Sequence, residues 1–404
     1  MTAVQRRTSR DIRTANRYAV LRQVIAGSPA SRQKLAAATG LSLATVANLV
    51  GELIERRMVL EVGFEESDGG RPRGLVAANP RGGVLIGVDL GETFIHAEAY
   101  DLRLEVLATA GGEFGADESR PDAVADRITA AVTEVAAKAA VHGEVLGVGV
   151  SVPGQVDRER GIAVFAPNWD WRDVPLHDLL AARLPGPLHL DNPMRAAMAA
   201  ELWFGAARDC ADAVAVILGT GVGAGLAVGG ALHRGRSNSA GEWGHTTLVL
   251  DGRPCRCGNR GCVEAYTGAP GIMRTLAELR PGSPLLREGD QQATVRGLGR
   301  AAAGGDSDAL AVVEETARCL GAGVADLVNL LNPEVVVLSS WVAEALGETL
   351  VRAVRGAVAA RALARPWGAT RIALSRLGSS AVSLGAASFA LEGALAPLRG
   401  RLAG

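Results

Sequence analysis

Three cysteines fall within eight residues, at Cys255, Cys257 and Cys262, and His245 stands ten residues ahead of the first. Three thiolates and one imidazole complete a closed tetrahedral site, a common structural zinc arrangement. Gly258 and Gly261 let so short a loop fold back on an ion. The chain has five cysteines, an odd count that suits a metal site in a reducing cytosol better than a disulfide framework. Cys210 and Cys319 read as core residues in helical surroundings.

Two glycine-rich turns offer a second chemistry. Asp89-Leu90-Gly91-Glu92-Thr93 and Gly219-Thr220-Gly221-Val222-Gly223-Ala224-Gly225 each follow an apolar strand. Glycines free backbone N–H groups to approach phosphates, and a threonine hydroxyl adds a donor. Either turn alone is equally well explained as a hairpin that tolerates glycine.

A third chemistry lies near the N-terminus. Ser42, Ala44, Thr45 and Asn48 face away from an apolar stripe formed by Val46, Leu49, Val50, Leu53 and Ile54. Small polar side chains there reach base edges in a major groove, and Asn pairs bidentately with adenine. Arg71 and Arg73 stand at the tip of a hairpin, where they would enter a minor groove or grip phosphates. Arg6, Arg7, Arg10 and Arg13 make a basic arm.

The elements that must position these residues follow from pattern. Asn16–Ala26 reads as a helix, Ser31 and Ser42 as caps of two more, and Gly40 as the turn between them. Met58–Gly63 and Leu75–Ala78 then form a wing. Beyond Asn79-Pro80, three strands are expected at Val84–Asp89, Thr93–Tyr100 and Leu104–Gly111. A helix at Pro121–Val141 and a strand at Val145–Val152 come next. A similar opening recurs at Ala213–Leu218 and Ala224–Val228, which suggests a duplicated α/β fold with a cleft between its halves. Asp308–Leu331 and Ala343–Ala360 read as helices around a strand at Glu334–Leu338.

The 404-residue length and 48% apolar composition exclude a disordered chain and a disulfide-stapled miniprotein. Net charge is −1, but it is unevenly spread. The first 80 residues carry 12 basic and 7 acidic side chains, while the rest carry 30 and 36. The basic excess thus coincides with the helix-turn-helix. Met1–Arg22 lacks the apolar run of a secretory signal. The uncharged Ala213–Leu232 holds six glycines and reads as strand, loop and strand, so no membrane partner is expected.

Together these motifs resemble the ROK family (repressor, open reading frame, kinase), in its winged-helix regulator branch. The resemblance runs from about Asn16 to Leu391. It is carried by Asp89–Thr93, Pro153-Gly154-Gln155-Val156-Asp157, Pro167-Asn168, Asp191-Asn192, Gly219–Gly225, Glu242–His245, the cysteine cluster with Cys262-Val263-Glu264, and Asn332-Pro333-Glu334. It implies a winged helix-turn-helix at 1–80. An actin-like (ribonuclease H-like) two-lobed ATPase fold is implied for 81–205 and 206–404, the last helix packing back on the first lobe. It implies zinc on His245, Cys255, Cys257 and Cys262. Family sugar contacts fall on Asn192, Glu242, His245 and Glu264, with Asn168 and Gly154 beside them.

Three departures separate the chain from the family's kinases. The base expected directly after Asn192 is replaced by Pro193. Asp191 would stand roughly 6–7 Å from that position in an extended chain, beyond reach of the same hydroxyl. Glu92 replaces a glycine and would repel polyphosphate, and Ser339-Ser340 replace a glycine pair near the nucleotide. The resemblance therefore implies a cytoplasmic, sugar-responsive repressor without kinase activity or ATP. Its partners would be a pseudo-palindromic DNA operator, a small sugar and one or three further copies of itself. The alternative is a bifunctional regulator that still phosphorylates a hexose.

Overall fold

The computed structural model describes residues 9–65, 72–115, 119–166 and 169–395. It begins with α1 (Ser9–Ala26), β1 (Ala30–Ser31), α2 (Arg32–Thr39), α3 (Leu43–Glu55), β2 (Val59–Phe64) and β3 (Gly74–Ala78). Helix α1 starts seven residues before the expected Asn16. Arg13 in the added turns and Arg17 in the expected segment both donate to Glu52 on α3. Gly40 takes the left-handed conformation (φ +68°) that closes α2. Ser42 caps α3 by accepting the Thr45 N–H at 3.1 Å. Ser31 occupies the cap position of α2 without a side-chain capping bond. Helix α3 buries Val46, Leu49, Val50 and Leu53, as its period requires. Strands β1, β3 and β2 pair antiparallel in that order. The wing tip, with Arg71, lies outside the described residues.

Next come β4 (Val84–Leu90), β5 (Phe94–Tyr100), β6 (Val106–Glu113), α4 (Pro121–Ala139) and β7 (Val145–Ser151). They are followed by β8 (Gln155–Asp157), β9 (Ile162–Ala166), β10 (Trp171–Val174), α5 (Leu176–Ala181), β11 (Leu188–Asp191) and α6 (Pro193–Phe204). A second series comprises β12 (Ala213–Leu218), β13 (Val222–Val228), β14 (Ala231–Leu232), α7 (Glu264–Thr267), α8 (Ala269–Leu279) and α9 (Gln291–Ala303). It ends with α10 (Ser307–Leu331), β15 (Val335–Ser339), α11 (Trp341–Ala359), α12 (Ala364–Ala369), β16 (Arg371–Leu374) and α13 (Ala381–Leu395).

The two large sheets have one topology. The first runs β6-β5-β4-β7-β11 and the second β14-β13-β12-β15-β16. In each, three antiparallel strands are followed by two that run parallel to the central one. This is the duplicated actin-like fold expected from the repeated openings. The small sheet β10-β9-β8 was not foreseen, its strands being three to five residues long. Among the described residues no single helix is long and apolar enough to cross a membrane. The uncharged Ala213–Leu232 forms β12, β13 and β14.

Helix α13 follows the second sheet but lies on the first. Gly87 of β4 and Gly149 of β7 have no room for a Cβ, because the Ser383 and Ala386 carbonyls of α13 press against them. Helix α6 is seated as closely. Gly225 of β13 meets the Met194 carbonyl, and Gly385 of α13 meets that of Ala196. The core of the winged helix continues into this pair: Val20, Leu21 and Leu53 join Met198, Leu202, Trp203, Leu391 and Leu395 in one buried cluster.

Candidate functional site

The candidate metal ligands lie on a loop tied at both ends. Gly241, at φ +99°, starts a short 3₁₀ turn, Glu242–His245. Bridges between Thr247 and Cys262 and between Pro254 and Arg260 close the loop behind it. One ligand atom each from His245, Cys255, Cys257 and Cys262 lies within 4.8 Å of the others. The Cys257 and Cys262 sulfurs are 3.8 Å apart, and Cys255 Sγ is 3.7 Å from His245 Nδ1. A zinc tetrahedron with ordinary bond lengths has S–S edges of about 3.8 Å and S–N edges of about 3.5 Å. The donor set therefore fits zinc. Burial pushes the Cys255 and Cys262 thiols up, so a cation is what would hold them as thiolates. Nδ1 is the histidine atom facing the sulfurs, which leaves Nε2 for the cavity that the same ring lines. Cys319 is buried in α10, but Cys210 lies in a turn after α6 and not in a helix. Its sulfur takes a contact from Arg371 at 3.6 Å.

A cavity of about 810 Å³ opens between the sheets. Gly154, Glu242, His245 and Glu264 all line it. Gly154 holds a left-handed φ of +82°, and a Cβ there would collide with the Phe165 carbonyl. Glu264 is fixed at both oxygens, Oε2 accepting the Val222 N–H at 3.0 Å and Oε1 facing Cys255 at 3.4 Å. Glu242 has its Oε1 buried with no protein partner. Burial raises its carboxyl's pKa, while His245 and Arg195 oppose that rise. Asn192 stands apart from these. It is wholly buried, one layer behind Pro193 and Met194 on the cavity wall. Its Oδ1 caps α6 through the Arg195 N–H at 3.1 Å, and its Nδ2 has no partner. Asn168 lies outside the described residues.

Sequence reasoning missed an aromatic wall. Phe94, Phe114, Phe165 and Trp169 line the first-sheet side of the cavity. Trp169 packs 4.7 Å from Trp171 and 6.3 Å from Phe114, ring centre to ring centre, and donates Nε1–H to the Glu92 carbonyl at 3.1 Å. The Trp-Asp-Trp run at 169–171 was the available signal. Such faces suit the C–H side of a sugar ring, while carboxylates accept from its hydroxyls.

Pro193, directly after Asn192, lies at the cavity wall. Asp191 is buried and engaged elsewhere. It pairs with Arg234 and, at 3.7 Å, with Arg195, and it accepts the Asn192 N–H at 2.9 Å. It does not line the cavity. Burial pushes Asp89 in the first glycine turn up to about 7, with His96 opposing and Glu98 adding. Ser340 holds φ +76°, ψ 174°, a backbone state that belongs almost wholly to glycine. Ser340→Gly is therefore expected to raise unfolding stability by about 1–3 kcal/mol. Urea denaturation checks this, and a loss of stability would mean the hydroxyl supports the turn.

At the other end of the molecule, Ser42, Ala44 and Asn48 are exposed along α3, and Thr45 is half-buried with its hydroxyl 2.8 Å from that of Ser42. Arg73 is exposed, 4.0 Å from Glu65. Arg13, expected in a free basic arm, belongs to α1 and is paired with Glu52. Arg6 and Arg7 lie outside the described residues.

The ROK family model matches residues 85–392. A putative xylose repressor of Caldicellulosiruptor is 30% identical over 391 residues, covering 95% of this chain and 97% of that one. A solved ROK family transcriptional regulator, described as a homologue of the E. coli MLC protein, superposes with a TM-score of 0.78 at 26% identity. That match covers 95% of this chain and 98% of the other. A ROK glucokinase from Streptomyces griseus, solved with glucose and AMPPNP, gives 0.68 at 32% identity, over 76% of this chain and 99% of the kinase. The regulators thus match the N-terminal reader as well as the body, and the kinase spans a smaller share. The chain belongs to the ROK family, in its transcriptional-regulator branch.

Proposed function

We propose that this protein is a sugar-responsive repressor whose kinase-like body senses a neutral aldopyranose and whose winged helix, residues 1–80, holds an operator. Residues 81–205 and 206–404 serve as the two sensor lobes. One observation carries the reading. Helix α6 starts on the cavity wall with Pro193 and Met194 and carries Trp203 in its last turn, whose ring lies 5.5 Å from Tyr18 of α1. A ligand at Glu242, His245 and Glu264 therefore has a rigid element leading from it to the DNA reader. A sugar shifts the balance only if it binds one lobe arrangement more tightly than the other. The xylose-repressor relatives favour a pentose as effector and operator release as the outcome. Zinc on the Cys₃His loop is structural, shaping the wall that carries Glu242, His245 and Glu264. A homodimer presents two winged helices to a pseudo-palindromic site. Phosphoryl transfer is absent on this reading, since Pro193 takes no proton and Asp191 is held by two guanidinium groups.

A thermal-shift series with xylose, glucose and an amino sugar, followed by operator titration with each binder, tests it. A specific effector raises the melting temperature by mass action and weakens operator binding. ATP-dependent turnover of any of these sugars, lost in Asp191→Ala, would instead establish the bifunctional alternative. On the DNA side, Asn48→Ala is expected to cost about 1–3 kcal/mol and relax preference at one base pair. Arg73→Ala should weaken all sequences alike and lower the salt slope by about one. Unchanged affinity in both would remove α3 and the wing from the interface.

A further inference from the structure

Residues 89–93 of the first glycine turn and 219–223 of the second line the same cavity from its two sides. Here the first turn carries a side chain that makes the crossing itself. Glu92 Oε2 lies 3.6 Å from Nη1 of Arg256, on the metal loop of the second half. Glu92 Oε1 lies 3.9 Å from where a Cβ on Gly221 would stand, at the centre of the second glycine turn. Both partners have fixed backbones. Arg256 sits between Cys255 and Cys257, and the Glu92 carbonyl is held by Trp169 at 3.1 Å. Glu92 is 16% exposed and Arg256 49%, so the pair stands at the rim of the cavity.

We propose that Glu92 and Arg256 form a clasp between the lobes, joining the first glycine turn to the cysteine loop at the cavity rim. The lobes can then close on a sugar without any nucleotide. The proposal deepens the sensor reading and rests on it for the ligand. The strength of the pair suits such a role. An ion pair this exposed biases an equilibrium by up to about fivefold. That is too little to lock the lobes and enough to tip a balance that a bound sugar completes.

The test is hydrogen exchange on the full-length, zinc-loaded protein without sugar, read at residues 91–94 and 256–261. Arg256→Glu and Glu92→Arg should each speed exchange several-fold at both segments, with zinc content unchanged. The double charge swap should slow it again toward wild type. Single variants that exchange like wild type, or a swap no slower than either, would overturn the clasp. If the reversed charges prevent folding, Glu92→Gln, Arg256→Gln and their double variant give the same comparison as a cycle, and strict additivity overturns it. Because the reading is taken without ligand, a protein indifferent to every sugar would defeat the sensor reading and leave this result interpretable.

Discussion

Cys262→Ser protein is expected to bind its operator within about twofold of wild type, yet to keep it when sugar is added. Cys262 is the most buried of the four metal residues, at 0% exposure, and it pairs with Thr247 to close the loop. Two residues on, Glu264 fastens the loop to the second glycine turn through the Val222 N–H. Losing one thiolate would leave three donors for a metal, and structural zinc loops lose their order with the metal. Glu242, His245 and Glu264 then no longer share one wall, and sugar affinity should fall at least tenfold by the chemistry of those contacts. The winged helix meets the body elsewhere, through Arg22 to the Leu202 carbonyl at 2.8 Å and Arg17 to that of Leu395 at 2.9 Å. Metal content, thermal shift with sugar and operator titration read the three parts separately. A sugar response that survives with zinc shown absent would end the structural role.

Trp203→Ala should do the converse, leaving sugar binding in place while uncoupling it from DNA. Trp203 is 3% exposed at the end of α6, stacked edge-on with Tyr18 and lying under the Arg22 guanidinium at 5.7 Å. Truncating a buried tryptophan costs about 3–5 kcal/mol, so a large drop in melting temperature is expected. Tyr18→Ala opens the same contact from the half-buried α1 side at lower cost, and it separates coupling from folding. In both variants the sugar-induced rise in melting temperature should persist while the operator affinity stops depending on sugar. Full coupling in Tyr18→Ala would place the relay elsewhere.

Much of this architecture is legible in the residue order because it is local. The α3 stripe, the capping serine, the glycine turns and the metal spacing are each set within about twenty residues, and all recur in the structure. The exceptions are long-range. Nothing near Arg13 or Arg17 announces Glu52 on another helix as their partner. Asn192 carries a sugar-binding residue type, but its cap of α6 draws it behind the wall. Asp191 looks available until Arg234 and Arg195 are seen beside it. Helices α8 and α9 went unread although Ile272, Thr275 and Leu276, and Val295, Leu298 and Ala302, recur at helical spacing and are buried. Cys210 shows the same limit, since a short apolar neighbourhood does not distinguish a helix from the turn that ends one.

Pro193 serves the helix as well as the cavity wall. It occupies the first turn of α6, where proline's fixed φ suits a helix start and its missing N–H forfeits no bond. The residue that takes no proton is thus also a good beginning for the rod that leads to Trp203. Exchange for aspartate would give up that fixed start, and Glu92 would still face Arg256 across the cavity. Changing Pro193 would therefore act on the helix start and on the cavity wall at once.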